Sequence, residues 1–133
     1  MLRQHLSSFA LGGVLYGLVE LLYRGRTHPA MLLAGGLCFL LVGRLDEAVP
    51  GMPVLLQMVA GAALITAVEL AVGLLWNDDG AIWNYSRCPL NFRGQICLQY
   101  ALLWVPLALA AILADDRFRR RVFGRPLPDY RWV

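Results

Sequence analysis

The chain contains no lysine: all twelve of its basic residues are arginine. That absence excludes a P-loop lysine on a nucleotide's phosphates, a Schiff base and a lysine nucleophile. The chain is therefore not itself an ATPase. Charge is scarce too. Charged residues make up 16% of the sequence, against roughly 25% in soluble domains. Cysteine is limited to Cys38, Cys88 and Cys97, which match no zinc spacing and are too few for a disulfide framework. Cys88 and Cys97 would pair only in an oxidising compartment, and buried free thiols are the commoner case. HExxH, GxSxG and GxGxxG are all missing, so zinc peptidase, serine hydrolase and dinucleotide chemistry lack support. No metal and no cofactor is implied, and an enzyme is the less favoured reading.

What the chain has instead is oil-soluble sequence, 59% apolar by residue. A bilayer core about 30 Å thick takes roughly 20 helical residues. Four segments meet or approach that length: 6–23, 29–43 with an extension to Leu45, 54–76 and 94–114. The first follows one arginine, as a signal peptide would, but no small-x-small cleavage site follows it, and it reads as a retained helix. Helices satisfy their own backbone polar groups without water, which favours them over strands. The sequence thus predicts an all-α membrane fold of four transmembrane helices over 1–114, followed by a basic cytoplasmic tail over 115–133. On one side it places Arg3, Arg44 and the tail arginines Arg117, Arg119, Arg120, Arg121, Arg125 and Arg131. Arg24, Arg26, Arg87 and Arg93 fall on the other. The positive-inside rule then puts both termini in the cytoplasm of the cell (inner) membrane. His5 and His28 lie at opposite faces in this topology and share no metal within one chain. The tail "RFRRRVF" is expected against anionic headgroups, at about 1 kcal/mol per arginine near the surface. A plain topology signal outranks a specific lipid or nucleic-acid site there.

Within "ITAVELAVGLLW", residues 65–76, stands one carboxylate, Glu69. The triplet Val19-Glu20-Leu21 recurs as Val68-Glu69-Leu70, and "GGLCFLL" at 35–41 aligns with "GQICLQY" at 94–100. These matches suggest two repeated helical hairpins, each with one acid in its first helix and one cysteine in its second. Such halves would be related by an axis along the membrane normal, as in parallel-repeat transporters. Both acids belong to the outer half of the bilayer, with Glu69 the deeper. Intramembrane carboxylates normally face a protein interior or a wet cavity. The functional expectation is one shared acidic site that binds a cation or passes a proton. The bland alternative for Glu20 is an i,i+4 pair with Arg24. For Glu69 it is a neutral acid bonded to another helix.

The third connection, "NDDGAIWNYSRCPLNFRG", is long for a small bundle, and the topology puts it on the outer side. Trp76, Trp83, Tyr85 and Phe92 suit an interfacial belt, and residues 77–80 read as a turn. Calcium would need more oxygen ligands than the stretch offers. Asn84, Tyr85, Ser86, Asn91 and Gln95 are expected to fold back over the acids as a polar lid. The stretch "WNYSRCPLNFRGQICLQYALLW" resembles the signature of the ABC-transporter type IV (CmpB-like) family of small integral membrane proteins. The residues carrying the resemblance are Trp83, Asn84, Tyr85, Ser86, Pro89, Asn91, Gly94, Ile96, Cys97, Leu98 and Trp104. A glutamate of the preceding helix corresponds to Glu69. The resemblance spans roughly residues 60–105 and implies a permease. Asn84 departs from an aspartate common at its position, so that position need not carry charge.

Small residues mark helix contacts in lipid: Gly13 and Gly17 as a GxxxG step, and Ala34, Gly35 and Gly36 in the second helix. Pro106 is expected to kink the fourth helix and free the carbonyl of Leu102. The leading expectation is a permease-like protein with an acidic, polar pocket in the outer half. Glu69 and Glu20 would bind a cation, proton or small polar solute, and Asn84, Tyr85 and Asn91 would complete the wall. Trp83, Ser86, Pro89, Gly94 and Trp104 would shape the lid. The rivals are a membrane-embedded enzyme acting on a lipid or quinone and a non-catalytic subunit of a larger complex. Expected partners are the bilayer, anionic lipids at the tail, a second copy in a homodimer, and a separate ATPase or membrane partner, with no nucleic acid.

Overall fold

A computed structural model describes all of residues 1–133. Five helices and one minimal hairpin follow in order: α1 (Leu2–Arg24), α2 (Pro29–Val42), α3 (Leu45–Ala48), α4 (Val54–Trp76), β1 (Asn91–Phe92), β2 (Ile96–Cys97) and α5 (Leu98–Phe123). α1, α4 and α5 are long and apolar enough to cross a membrane. α2 is apolar but has only 14 residues, or about 21 Å of helix at 1.5 Å per residue.

Local chemistry sets the ends. α1 stops at Gly25, whose positive φ of 72° returns its N–H to the carbonyl of Leu21 at 3.0 Å. α2 begins with Pro29, whose missing N–H costs nothing in a first turn. His28 caps it, with Nδ1 accepting from the Ala30 amide at 3.0 Å. Pro53 precedes α4 and brings no side-chain cap. The chain's last residues supply one instead. The carbonyl of Arg131 accepts the Val54 N–H at 2.6 Å, and that of Trp132 accepts the Leu55 N–H at 3.3 Å.

α1 packs on α2, α4 on α5, and α2 joins the two pairs through α4. The GxxxG step serves the first contact. A Cβ on Gly13 would meet the Leu32 carbonyl oxygen at 3.0 Å, and one on Gly17 would meet the Leu32 side chain at 2.6 Å. One apolar cluster, including Met31, Val72 and Trp83, lies toward the end that carries the long loop. A second, including Val42, Ala62, Trp104 and Ile112, lies along α2, α4 and α5.

Two boundaries differ from those read in the sequence. Residues 94–97, expected to open the fourth span, instead close the β1–β2 hairpin, whose register pairs Asn91 with Cys97 and Phe92 with Ile96. α5 then continues through Pro106 and past position 114, where a tail was expected, to Phe123. Three of the charges along this extension, Asp115, Asp116 and Arg119, are buried and paired against the bundle.

Candidate functional site

Glu69 sits half-buried on α4 with no helical neighbour to pair with. Its partners come from the loop that follows α4 and from the neighbouring α5. The Tyr85 hydroxyl donates to Oε2 at 2.8 Å, and the Trp104 indole Nε1–H donates to Oε1 at 3.4 Å. Burial, and then the adjacent Glu69 carboxylate, push the Tyr85 hydroxyl far above the ordinary tyrosine range, so it keeps its proton and donates. The Tyr85 ring is stacked on Tyr100, with centroids 4.6 Å apart and planes 12° from parallel. Tyr100 in turn lies 6.0 Å from Trp104. A loop residue is thereby tied to two helices beside one carboxylate.

What aims Tyr85 is a buried amide pair. Asn77, fully out of solvent, caps α4. Its Oδ1 accepts the Ile82 and Trp83 amides at 2.8 and 3.2 Å. Its Nδ2 donates to the Trp83 carbonyl at 2.6 Å and to Gln95 Oε1 at 2.8 Å. Gln95 returns a bond to the Asn77 carbonyl at 2.8 Å and accepts the Trp83 indole N–H on its own carbonyl at 2.9 Å. Gly73 makes room for this arrangement, since any Cβ there would run into the Gln95 side-chain amide.

Glu69 lines a cavity of about 320 Å³ among α1, α2, α4 and α5, and 14 of its 17 lining residues are hydrophobic. Tyr16, Cys38, Trp83 and Trp104 share its wall. Glu20 is elsewhere. It is buried and accepts from Arg24 at 3.2 Å. It lines a separate, polar recess of about 250 Å³ with Arg26, His28, Trp76 and Asp79. Arg24 also donates to the Ile82 carbonyl, tying α1 to the loop. The two acids thus line different hollows.

Asn84 and Asn91 are exposed and line neither hollow. Asn84 Oδ1 accepts the Ser86 amide at 2.9 Å. The Asn91 amide donates to the carbonyls of Ser86 at 3.2 Å and Cys88 at 2.9 Å, and its oxygen accepts the Gly94 N–H at 3.0 Å. Both hold the turn that carries Tyr85. Ser86 and Pro89 are exposed within it, and Gly94, buried with φ 69°, completes it. Of the aromatic residues expected in a belt, Trp76 and Phe92 are exposed and Trp83 is buried. All three cysteines are free thiols.

A second polar centre at the opposite end has no counterpart among the sequence expectations. Asp115 is fully buried. It accepts from Ser8 Oγ at 2.6 Å and from Arg44 Nη1 at 2.6 Å. Arg44 Nη2 donates to Ser8 at 3.0 Å. Arg119 Nε lies 3.0 Å from Asp115 Oδ2 but off the hydrogen-bonding line, so charge rather than a hydrogen bond holds that contact. Arg119 also bonds Asp116 at 3.0 Å and the Gly43 carbonyl at 3.1 Å, and it pairs with Glu47. Burial alone would raise the Glu47 carboxyl. The Arg119 bond, with the charges of Arg119, Arg44 and Arg125, instead holds it below the ordinary glutamate range. Tyr130 donates to Asp116 at 2.8 Å. Three arginines counted as topology signal are therefore spent inside the protein or on Glu47. A signal for this was present: Asp115 and Asp116 stand four and three residues before Arg119 on one helix.

Residues 6–126 match the model of a protein family described as "Putative ABC-transporter type IV". No curated protein and no solved structure matches the chain.

Proposed function

We infer a function from one established premise: the chain belongs to the ABC-transporter type IV family. That family and the three long apolar helices mark an integral membrane protein related to transport. In our reading it is permease-like, and Glu69 is the group that takes up a cation or proton. The observation that carries the reading is the Glu69 carboxylate itself. It is held by Tyr85 and Trp104 inside a cavity that four helices share. Each oxygen receives one hydrogen bond and keeps capacity for another. A carboxylate placed so deep is costly unless it has work or partners, and these two donors leave it half-satisfied. Glu20, neutralised by Arg24, stands outside the site. Asn84 and Asn91 act by holding Tyr85 in place.

The arginine imbalance supports a cell-membrane orientation with both termini in the cytoplasm and the loop outside. The small size of the bundle supports work in a larger assembly, either a second copy or a separate ATPase.

The test is proton flux in liposomes that carry the purified chain and a trapped pH-sensitive dye. Wild type should dissipate an imposed proton gradient. Glu69→Gln should slow that by about tenfold or more, a rise of about 1.4 kcal/mol or more in the barrier, while Glu20→Gln should retain it. Equal rates for wild type and Glu69→Gln would overturn the assignment.

A further inference from the structure

The Glu69 cavity is poorly suited to a hydrated ion. At about 320 Å³ it is an order of magnitude larger than the ~30 Å³ share of one water. Ordered water in such a space needs two to four polar partners per molecule, and the wall is almost wholly hydrocarbon. The two indole N–H groups are already committed, Trp104 to Glu69 and Trp83 to the Gln95 carbonyl. A largely apolar occupant matches this wall.

Its outline is long. On α5 the lining runs from Trp104 to Ala114, about 15 Å at 1.5 Å per residue. Alanines and Gly12 keep the inner stretch open. The acid lies toward the loop end. The cavity reaches the surface between α1 and α5, where the lining residues Leu15, Val19 and Leu107 are themselves exposed. On a bundle whose outer faces are apolar, that mouth opens to lipid tails rather than to water.

Charge selects the head. An indole N–H only donates, so Oε1 is an acceptor here, and the protonated Tyr85 hydroxyl makes Oε2 one as well. On the ionised carboxylate the completing atom is a donor, and a positive one answers it best. Trp104 and Trp83 line the same end, and indole rings are the strongest cation-attracting aromatic surfaces.

We propose that this cavity binds a single-chain amphiphile with an ammonium head. The head sits on Glu69, the chain lies along α5 toward Ala114, and entry is lateral from the bilayer between α1 and α5. The proposal rests on Glu69 as the cation-binding group and adds the chemical class of what it binds.

The experiment uses the full chain in phosphatidylcholine nanodiscs and tritiated dodecylamine, with binding to empty discs subtracted. Saturable binding is expected, weakened about tenfold or more by Glu69→Gln. Ala111→Phe, which fills the inner half of the cavity, should weaken it similarly. Arg121→Gln, on the exposed tail-end surface, should leave it unchanged. Dodecanol and dodecanoate should compete about tenfold less well than unlabelled dodecylamine, and methylamine should not compete. Should either cavity variant fail to fold, that competition series on wild type still decides. Equal competition by dodecanol, full competition by methylamine, or undiminished binding in Glu69→Gln overturns the proposal. If proton flux depends on Glu69 while dodecylamine shows no saturable binding, only the ligand class falls. If neither depends on Glu69, the functional reading falls with it.

Discussion

Asp115 is the residue on which the tail end turns. Its carboxylate is fully buried and serves Ser8, Arg44 and Arg119 from three parts of the chain. Removing one member of a buried ionic set costs more than the set is worth, because the survivors keep their charge without a partner. Asp115→Ala should therefore destabilise by about 3–5 kcal/mol, read as a large fall in the thermal midpoint in detergent. Ser8→Ala should cost about 1–2 kcal/mol, the loss of a buried hydrogen-bond partner. The pair Arg44→Met with Asp115→Leu should be milder than Asp115→Ala alone, since Arg119 keeps Asp116 and Glu47. A double variant worse than the single would refute this account. Glu69 was legible in the sequence because an isolated acid in an apolar helix stands out. Asp115 was not, because it borders an arginine run that reads as a solvated tail.

Among the elements, the connection from α4 to α5 shows what local pattern conveys and what it hides. Its length, its aromatic residues and its turn at 77–80 were visible in the sequence, and so was its polar character. Hidden was the direction of each side chain, which depends on contacts distant in sequence. Asn84 and Asn91, read as pocket wall, build the turn, while Tyr85 alone reaches Glu69. The apolar run gave the bounds of α4 at Val54 and Trp76. It misjudged α5, whose Asp115, Asp116 and Arg119 are buried through pairing rather than hydrophobicity. The loop is fixed by the Asn77–Gln95 amide pair against Gly73. Gly73→Ala would ordinarily favour a helix by up to about 1 kcal/mol. Here the new methyl collides with Gln95, so the loop should undock while α4 persists. Limited proteolysis between residues 78 and 94 should accelerate, with helical circular dichroism unchanged. Unaltered cleavage would mean that the amide pair tolerates the displacement.

At the scale of the whole molecule the number of crossings turns on α2. Its 14 residues give about 21 Å, short of a hydrocarbon core of about 30 Å, so length by itself counts three crossings. Contacts argue for four. The start of α2 lies beside the loop end, where His28 shares a recess with Trp76 and Ile82. Just past its end, Arg44 reaches Ser8 and Asp115 at the tail end. α2 therefore runs between the two ends of the bundle. A modest thinning of the bilayer around a short helix costs only fractions of a kcal/mol per Å. Arg3 lies over the Phe123 ring, 5.9 Å from its centre, so both termini belong to one end. Four crossings require the termini to share a side of the membrane, whereas three would separate them. Fluorescent-protein and alkaline-phosphatase fusions at each terminus distinguish these cases. Both termini should report the cytoplasm, with a phosphatase inserted after Asp79 active on the far side. Termini reported on opposite faces would mean that α2 folds back within the bilayer, and the tail-end network of Ser8, Arg44 and Asp115 could not then form as described.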